Sequence, residues 1–157
     1  MADSVYLETT IPSYLAARPS RDLIVAAHQQ LTVDWWRTRR DAFDVYVSQL
    51  VLQEASLGDP ELAARRLGHL VDVPTLAIPP AAQTLAESLV TSGLLPPNAS
   101  ADALHIGIAA ANGVDYLLTW NSRHLANATM RRRIEEACRA AGLQPPVLCT
   151  PEELMEV

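Results

Sequence analysis

Three carboxylates and one carboxamide fall where an apolar, strand-like run hands over to a helical pattern, at Glu8, Glu54, Asp102 and Asn121. In an open α/β sheet the carboxyl ends of the strands line one edge, so side chains far apart in sequence can meet there in one crevice. Acids gathered in that way can converge on one metal ion. Magnesium favours such oxygen donors in near-octahedral geometry and keeps several waters, whereas sites built from His and Cys suit other metals.

Each of the four has a plainer explanation beside the chemical one. Glu8 follows the apolar run of residues 4–7 and precedes Thr9, Thr10 and Pro12, so it faces the crevice or accepts hydrogen bonds from amides at the next helix start, where the dipole favours an anion. Glu54 lies six residues past Ser48 among Leu50, Val51, Leu52 and Ala55, and an ordinary exposed glutamate is the alternative. Asp102 falls in the first turn after Ser100, where a carboxylate satisfies free helix amides without any partner elsewhere. His105, three residues on, shares the face of Asp102 and reads as a core residue, or as one that supports a ligand from behind, rather than as a metal ligand. Asn121 ends the buried run Leu117-Leu118-Thr119-Trp120 and leads into Ser122-Arg123-His124-Leu125.

The elements that must position these residues alternate between short apolar runs and helical patterns, which points to a mainly parallel sheet covered by helices. The expected strands are 4–7, 43–47, a weak one at 75–78, 115–119 and 147–149. A short helix is expected over 10–17 with Pro12 in its first turn. Ser20 is the expected cap of a longer helix reaching about residue 40, the two forming a protruding hairpin. Ser48 caps the helix carrying Glu54, which stops near Gly58, and Asp59-Pro60 opens another through about Leu70. Further helices are expected over 80–92, ending at Gly93, over 100–112, ending at Gly113, and over 129–141, with a final capped one at 150–153.

The chain of 157 residues with 49% hydrophobic content fits one domain spanning 1–157. Its start lacks a basic segment followed by an apolar stretch and a cleavage site, and no apolar run approaches the ~20 residues that cross a bilayer, so a cytoplasmic protein without membrane contact is expected. Cys138 and Cys149 are too far apart for a CxxC motif and read as reduced, packed thiols. A net charge of −6 argues against whole-surface attraction to nucleic acid, since such binding is carried by cation contacts to phosphate. Local patches remain, because all 12 basic residues are Arg and some cluster, as in Arg37/Arg39/Arg40, Arg65/Arg66 and Arg131/Arg132/Arg133. Guanidinium groups hold phosphate bidentately. The last triplet is better explained as a solvated helix face paired with Glu135 and Glu136. Trp35 and Trp36 end an amphipathic helix and read as a core edge or a dimer contact, while Trp120 fits packing and base stacking equally.

Val5-Tyr6-Leu7-Glu8-Thr9-Thr10, residues 48–54, Ala101-Asp102-Ala103-Leu104-His105 and residues 117–121, in that order and over most of the chain, resemble a PIN domain of the kind found in VapC toxins of toxin-antitoxin pairs. The resemblance implies a three-layer α/β/α fold with about five strands and a magnesium- or manganese-dependent ribonuclease. Carried over residue by residue, the catalytic set becomes Glu8, Glu54, Asp102 and Asn121, with Glu8 and Asp102 holding the metal. Thr119 matches a hydroxyl expected to orient a metal-bound water or an acidic side chain. A homodimer inhibited by a small antitoxin is implied by the family alone. Two departures count against tight two-metal binding: Glu8 stands where aspartate is usual and reaches about one methylene further, and Asn121 carries no charge.

A metal held by Glu8 and Asp102 would lower the pKa of a bound water and stabilise charge on the phosphodiester, with Glu54 binding a second metal or orienting water. Arg123, two residues past Asn121, is the best-placed cation for the substrate phosphate, with Arg18 and Arg21 as alternatives. The leading expectation is therefore an endoribonuclease toxin. Others are a PIN-like RNA- or protein-binding module whose catalysis is weakened by the two departures, and an unrelated α/β enzyme acting on a small phosphorylated substrate. The last lacks support, as neither GxGxxG nor GxxxxGK[ST] occurs.

Overall fold

The structure is a computed structural model and describes residues 1–156. Five parallel strands, β1 (Ser4–Leu7), β2 (Asp44–Ser48), β3 (Thr75–Leu76), β4 (Tyr116–Leu118) and β5 (Val147–Cys149), form one sheet in the order β3-β2-β1-β4-β5. Each pairing is parallel, with Tyr6 opposite Tyr46 on one side and Leu117 on the other. Such a sheet needs helices on both faces. They form two groups: α1 (Thr10–Ala16), α2 (Leu23–Thr38), α3 (Gln49–Ala55) and α4 (Pro60–His69) pack among themselves, as do α5 (Pro80–Thr91), α6 (Ser100–Ala111) and α7 (Ala128–Ala140). The result is the three-layer α/β/α architecture expected. Among the described residues no helix is long and apolar enough to cross a membrane.

Because β1 is central, its side chains are wholly enclosed: Val5, Tyr6 and Leu7 have no exposed surface. Strand alternation sends Tyr6 to the opposite face from its two neighbours, and the one polar tip in that run therefore needs a partner inside the protein. The order also makes the gap between β1 and β4 the point where successive connections leave in opposite directions, which is where open α/β sheets form their crevices.

Local chemistry sets most boundaries. Ser48 accepts from the Val51 amide at 3.3 Å to start α3, and Asp59 accepts from Leu62 at 3.0 Å ahead of Pro60 to start α4. Gly113, at φ +66, ends α6 and turns the chain into β4. Three expected caps differ. Asp22, not Ser20, caps α2 by accepting from Val25 at 3.0 Å, and Ser20 instead accepts from the Asp22 amide, so the helix begins two residues later, at Leu23. Ser100 lies inside α6 and donates to the Pro97 carbonyl at 2.6 Å, because the one-turn 3-10 helix Pro97–Ala99 leads directly into α6. Thr150 and Glu153 exchange the hydrogen bonds of a capping box, but the segment stays a turn rather than a helix.

The pair α1 and α2 lies against the sheet rather than standing away from it. Trp35 of α2 has no exposed surface, and Trp120, 9% exposed, is stacked on His28 of α2 at 4.1 Å and on Tyr14 of α1 at 6.0 Å. Cys138 and Cys149 are free and buried, and burial pushes their thiols up to about 11 and about 12. Of the Arg triplet, Arg132 pairs with Glu136 at 3.2 Å on the helix surface, and Arg131 reaches across to Glu153 at 3.1 Å.

The tightest seam is between α5 and α6. A Cβ added at Gly107 would lie 2.2 Å from the Ala82 carbonyl oxygen, so only a hydrogen fits between the two backbones. Gly107→Ala is expected to push the helices apart and cost about 1–3 kcal/mol, lowering the melting temperature by about 2–4 °C per kcal/mol. A melting curve unchanged from the wild type would contradict this packing.

Candidate active site

The crevice is built from the ends of β1 and β4, the last turn of α3, where Glu54 lies five residues beyond the first residue of the helix, and the start of α6. Glu8 follows the last residue of β1 and is 5% exposed. Removing a carboxylate from water to that degree is costly unless donors replace the water, and three do. Its Oε1 accepts from the Thr10 amide at 3.1 Å, the Thr10 hydroxyl at 2.5 Å and the Thr119 hydroxyl at 2.7 Å. Thr119, just past β4, is thus the hydroxyl that orients an acidic side chain, one of the two roles expected for it. Its oxygen also accepts from the Asn121 amide at 2.9 Å.

Asn121 holds the turn that follows. Its Oδ1 accepts from the amides of Arg123 and His124, each at 3.2 Å, so that oxygen is spent on backbone and Nδ2 is the group left over. The turn in turn aims His124, whose Nδ1 meets Asp102 Oδ2 at 2.8 Å. An ionised carboxylate can only accept, so the ring donates from Nδ1. Glu8, Thr119, Asn121, His124 and Asp102 therefore form one continuous hydrogen-bonded path across the mouth of the β1/β4 gap. Asp102 sits in the first turn of α6, as expected, but it has a specific long-range partner that capping alone does not require.

A second chain runs through the interior. Glu54 Oε1 accepts from the Thr9 hydroxyl at 2.6 Å and meets His105 Nε2 at 2.7 Å. His105, fully buried, bonds through Nδ1 to the Tyr6 hydroxyl at 2.7 Å, and Tyr6 reaches Ser48 Oγ at 2.7 Å. A hydroxyl can donate or accept, so Tyr6 complements Nδ1 in either state of the ring. Burial raises the Tyr6 phenol, Ser48 opposes this, and the Glu8 and Glu54 charges raise it further, so the hydroxyl keeps its proton. Burial would also raise Glu54, but the hydrogen bond and charge of His105 and the Thr9 hydroxyl outweigh it and hold Glu54 below its ordinary 4.5.

His105 thus supports Glu54 rather than Asp102, although it stands one turn beyond Asp102 on α6. Arg123 is exposed and makes no ion pair among the described residues, while Thr9, Thr10 and His124 contribute side chains to the site. Those three stood next to Glu8 and Asn121 in the sequence, and adjacency was the only signal for them. Trp120 packs: both faces are covered, and its Nε1 donates to the buried Thr32 hydroxyl at 2.7 Å.

All three acids share one feature. Glu8, Glu54 and Asp102 each have one oxygen held by fixed donors and a second that takes no hydrogen bond among the described residues. The free oxygens are hard donors of the type magnesium takes. Among the described residues no group of three or more His, Cys, Asp or Glu side chains is placed so as to hold a metal ion together. A cation that binds through one or two carboxylates and keeps most of its waters fits such a donor set; one that needs a full set of protein ligands does not. No protein-family model and no curated protein matches the chain.

The lowered Glu54 gives a pH signature. A group depressed in the folded state stabilises the protein above its unfolded value, and that contribution disappears as pH falls through the folded value. The stability advantage of the wild type over Glu54→Gln should therefore be complete at pH 6–7 and decline only below 4.5. Denaturant unfolding of both proteins between about pH 3 and 7 checks it; an advantage constant over that range would mean that Glu54 is not held as described.

Proposed function

We propose that this protein is a divalent-metal-dependent endoribonuclease that hydrolyses RNA phosphodiester bonds at the β1/β4 crevice. The observation that carries the reading is that Glu8, Glu54 and Asp102 each keep one unpaired oxygen while the other is fixed. Oxygen donors held still before a cation arrives need little reorganisation when it does.

Glu8 and Asp102 would hold magnesium or manganese. When bound, the ion supplies positive charge that acidifies water and offsets the charge developing on the phosphoryl oxygens. Glu54, kept anionic by His105 and Thr9, orients the attacking water and takes up its proton. Thr10 and Thr119 hold Glu8 against rotation, and His124 does the same for Asp102. Arg123 and the Nδ2 of Asn121 are the donors left for the substrate phosphate. The biological setting that goes with this reading is a toxin, homodimeric and restrained by a small antitoxin; it rests on the PIN-like motifs alone.

One observation favours a second reading, a PIN-like RNA- or protein-binding module that has lost catalysis. Asn121 spends its oxygen on the turn and offers none to a cation, so the site presents three ligand-type oxygens where the motif usually provides four.

Purified protein incubated with a mixed RNA pool and magnesium or manganese is expected to cleave it, and EDTA to abolish cleavage. Losing several kcal/mol of metal-derived stabilisation should slow Asp102→Asn by about 10²–10³-fold or more. Cleavage indifferent to EDTA and to Asp102→Asn would refute the proposal. An inactive wild type in which Glu8→Asp introduces activity would establish the second reading.

A further inference from the structure

A cluster of cations lies one sheet-length from the crevice. The last turn of α2, the 3-10 turn Arg40–Ala42 and the last turn of α4 meet around Trp36. The Arg40 guanidinium lies 4.1 Å over the Trp36 ring, and His69 meets the same indole edge-on at 6.1 Å. Arg65 stands one helical turn before His69 on α4 and is exposed. Neither Arg40 nor Arg65 makes a hydrogen bond or an ion pair with a carboxylate among the described residues, whereas Arg39, Arg131, Arg132 and Arg139 all have acidic partners. In a chain of net charge −6, a guanidinium stacked on Trp36 and a second one beside His69, neither paired with an acid, are an unusual arrangement.

We propose that Arg40, Arg65 and His69, organised around Trp36, form an auxiliary site for the phosphates of a single-stranded RNA. The site deepens the ribonuclease reading and rests on it for the kind of polymer bound. Stacking on Trp36 fixes the plane of Arg40 and leaves its N–H edges for an anion, a bidentate geometry suited to phosphate. Burial, with the charges of Arg65 and Arg40, lowers the affinity of His69 for a proton, as expected where both guanidinium groups stand near its ring. The neighbouring cleft of about 280 Å³ is lined by Asp41 and Asp44 as well as Arg40, so its acids disfavour phosphate, which belongs on the Trp36 side. β2 begins at this edge and ends at Ser48 beside the buried Tyr6. Its five residues span about 17 Å, the least separation that one RNA bound at both the patch and the crevice has to bridge.

Fluorescence anisotropy of a labelled single-stranded RNA in EDTA, which prevents cleavage, tests this across a salt series. Each phosphate contact contributes about 0.7 to the slope of log affinity against log salt. Arg40→Gln with Arg65→Gln should therefore lower the slope by about 1.4, so that a fourfold rise in salt costs the variant about sevenfold less affinity than the wild type. Arg65→Gln alone, at an exposed position without contacts to lose, should remove about half, and it keeps the test valid if the double variant unfolds. Arg132→Gln, which loses only a surface pair with Glu136, should change nothing. Equal slopes in all proteins overturn the auxiliary site and leave the crevice reading intact. A reduced slope in a protein that never cleaves RNA supports the site and counts against the nuclease. Displacement of the RNA by poly-glutamate as readily as by polyphosphate would overturn the proposal in favour of an acidic protein partner.

Discussion

Everything at the crevice depends on keeping the carboxylate of Glu8 at the end of the central strand, 5% exposed. The Born cost of such a position is large, and donors must be in place wherever water has been excluded. Two of the three donors come from Thr10, two residues along, and one from Thr119, 111 residues away. The local pair sets the direction in which the chain leaves β1. The distant one requires β4 to lie beside β1 in the observed register, with Leu7 opposite Leu118, so that Thr119 follows at the same level as Glu8. Sheet register and the chemistry of the site are therefore one constraint.

That constraint propagates outward through groups with two tasks. Thr10 Oγ1, while donating to Glu8, accepts from the Trp120 amide at 2.9 Å, which ties the start of α1 to the exit of β4. Trp120 then anchors the α1/α2 pair by its two stacked faces and its bond to Thr32. The hairpin that looks free to protrude in the sequence is in fact the outer wall of the site, held by an aromatic ring that is consumed in holding it. This is why the residue nearest the acids with the right shape for stacking a base is the wrong one for that task.

What the sequence made legible follows the range of each interaction. Strand β5 at Val147–Cys149, the Ser48 cap and the Asp59-Pro60 start depend on neighbours a few residues away, and pattern reading located them. Where two local solutions compete, it chose wrongly. Ser20 and Asp22 are both good caps, and the helix uses the second because Ser20 supports Asp22 instead. The turn at 150–153 has the reciprocal bonds of a helix start yet stays a turn. The places of Glu8 after β1, Asp102 in the first turn of α6 and Thr119 and Asn121 after β4 were legible, whereas Glu54 falls in the last turn of α3 rather than where β2 hands over to it. The pairing of His105 with Glu54 and of His124 with Asp102 was not, because nothing in a linear sequence says which of two acids a buried ring will face. Tyr6 was read only as part of an apolar strand, and its hydroxyl becomes meaningful once Ser48 and His105 are brought to it.

Helix α6 serves both acid networks at once. It presents Asp102 to His124 on the crevice side and, one turn further, sends His105 inward to Glu54. Two residues beyond His105, Gly107 brings the helix against the backbone of α5 with no room for a methyl group. A rotation or shift of α6 would therefore disturb Asp102 and, through His105, the bond that holds Glu54, while Glu8 itself stays fixed by β1 and β4. The three carboxylates thus stand on three elements, Glu8 at the end of β1, Glu54 on α3 and Asp102 on α6, and α6 bears on two of them. The placement of α6 is set by a packing contact that carries no chemistry of its own. That arrangement separates the fold's tolerance to change from the site's: substitutions along the α5/α6 seam can leave the sheet intact and still misalign the acids.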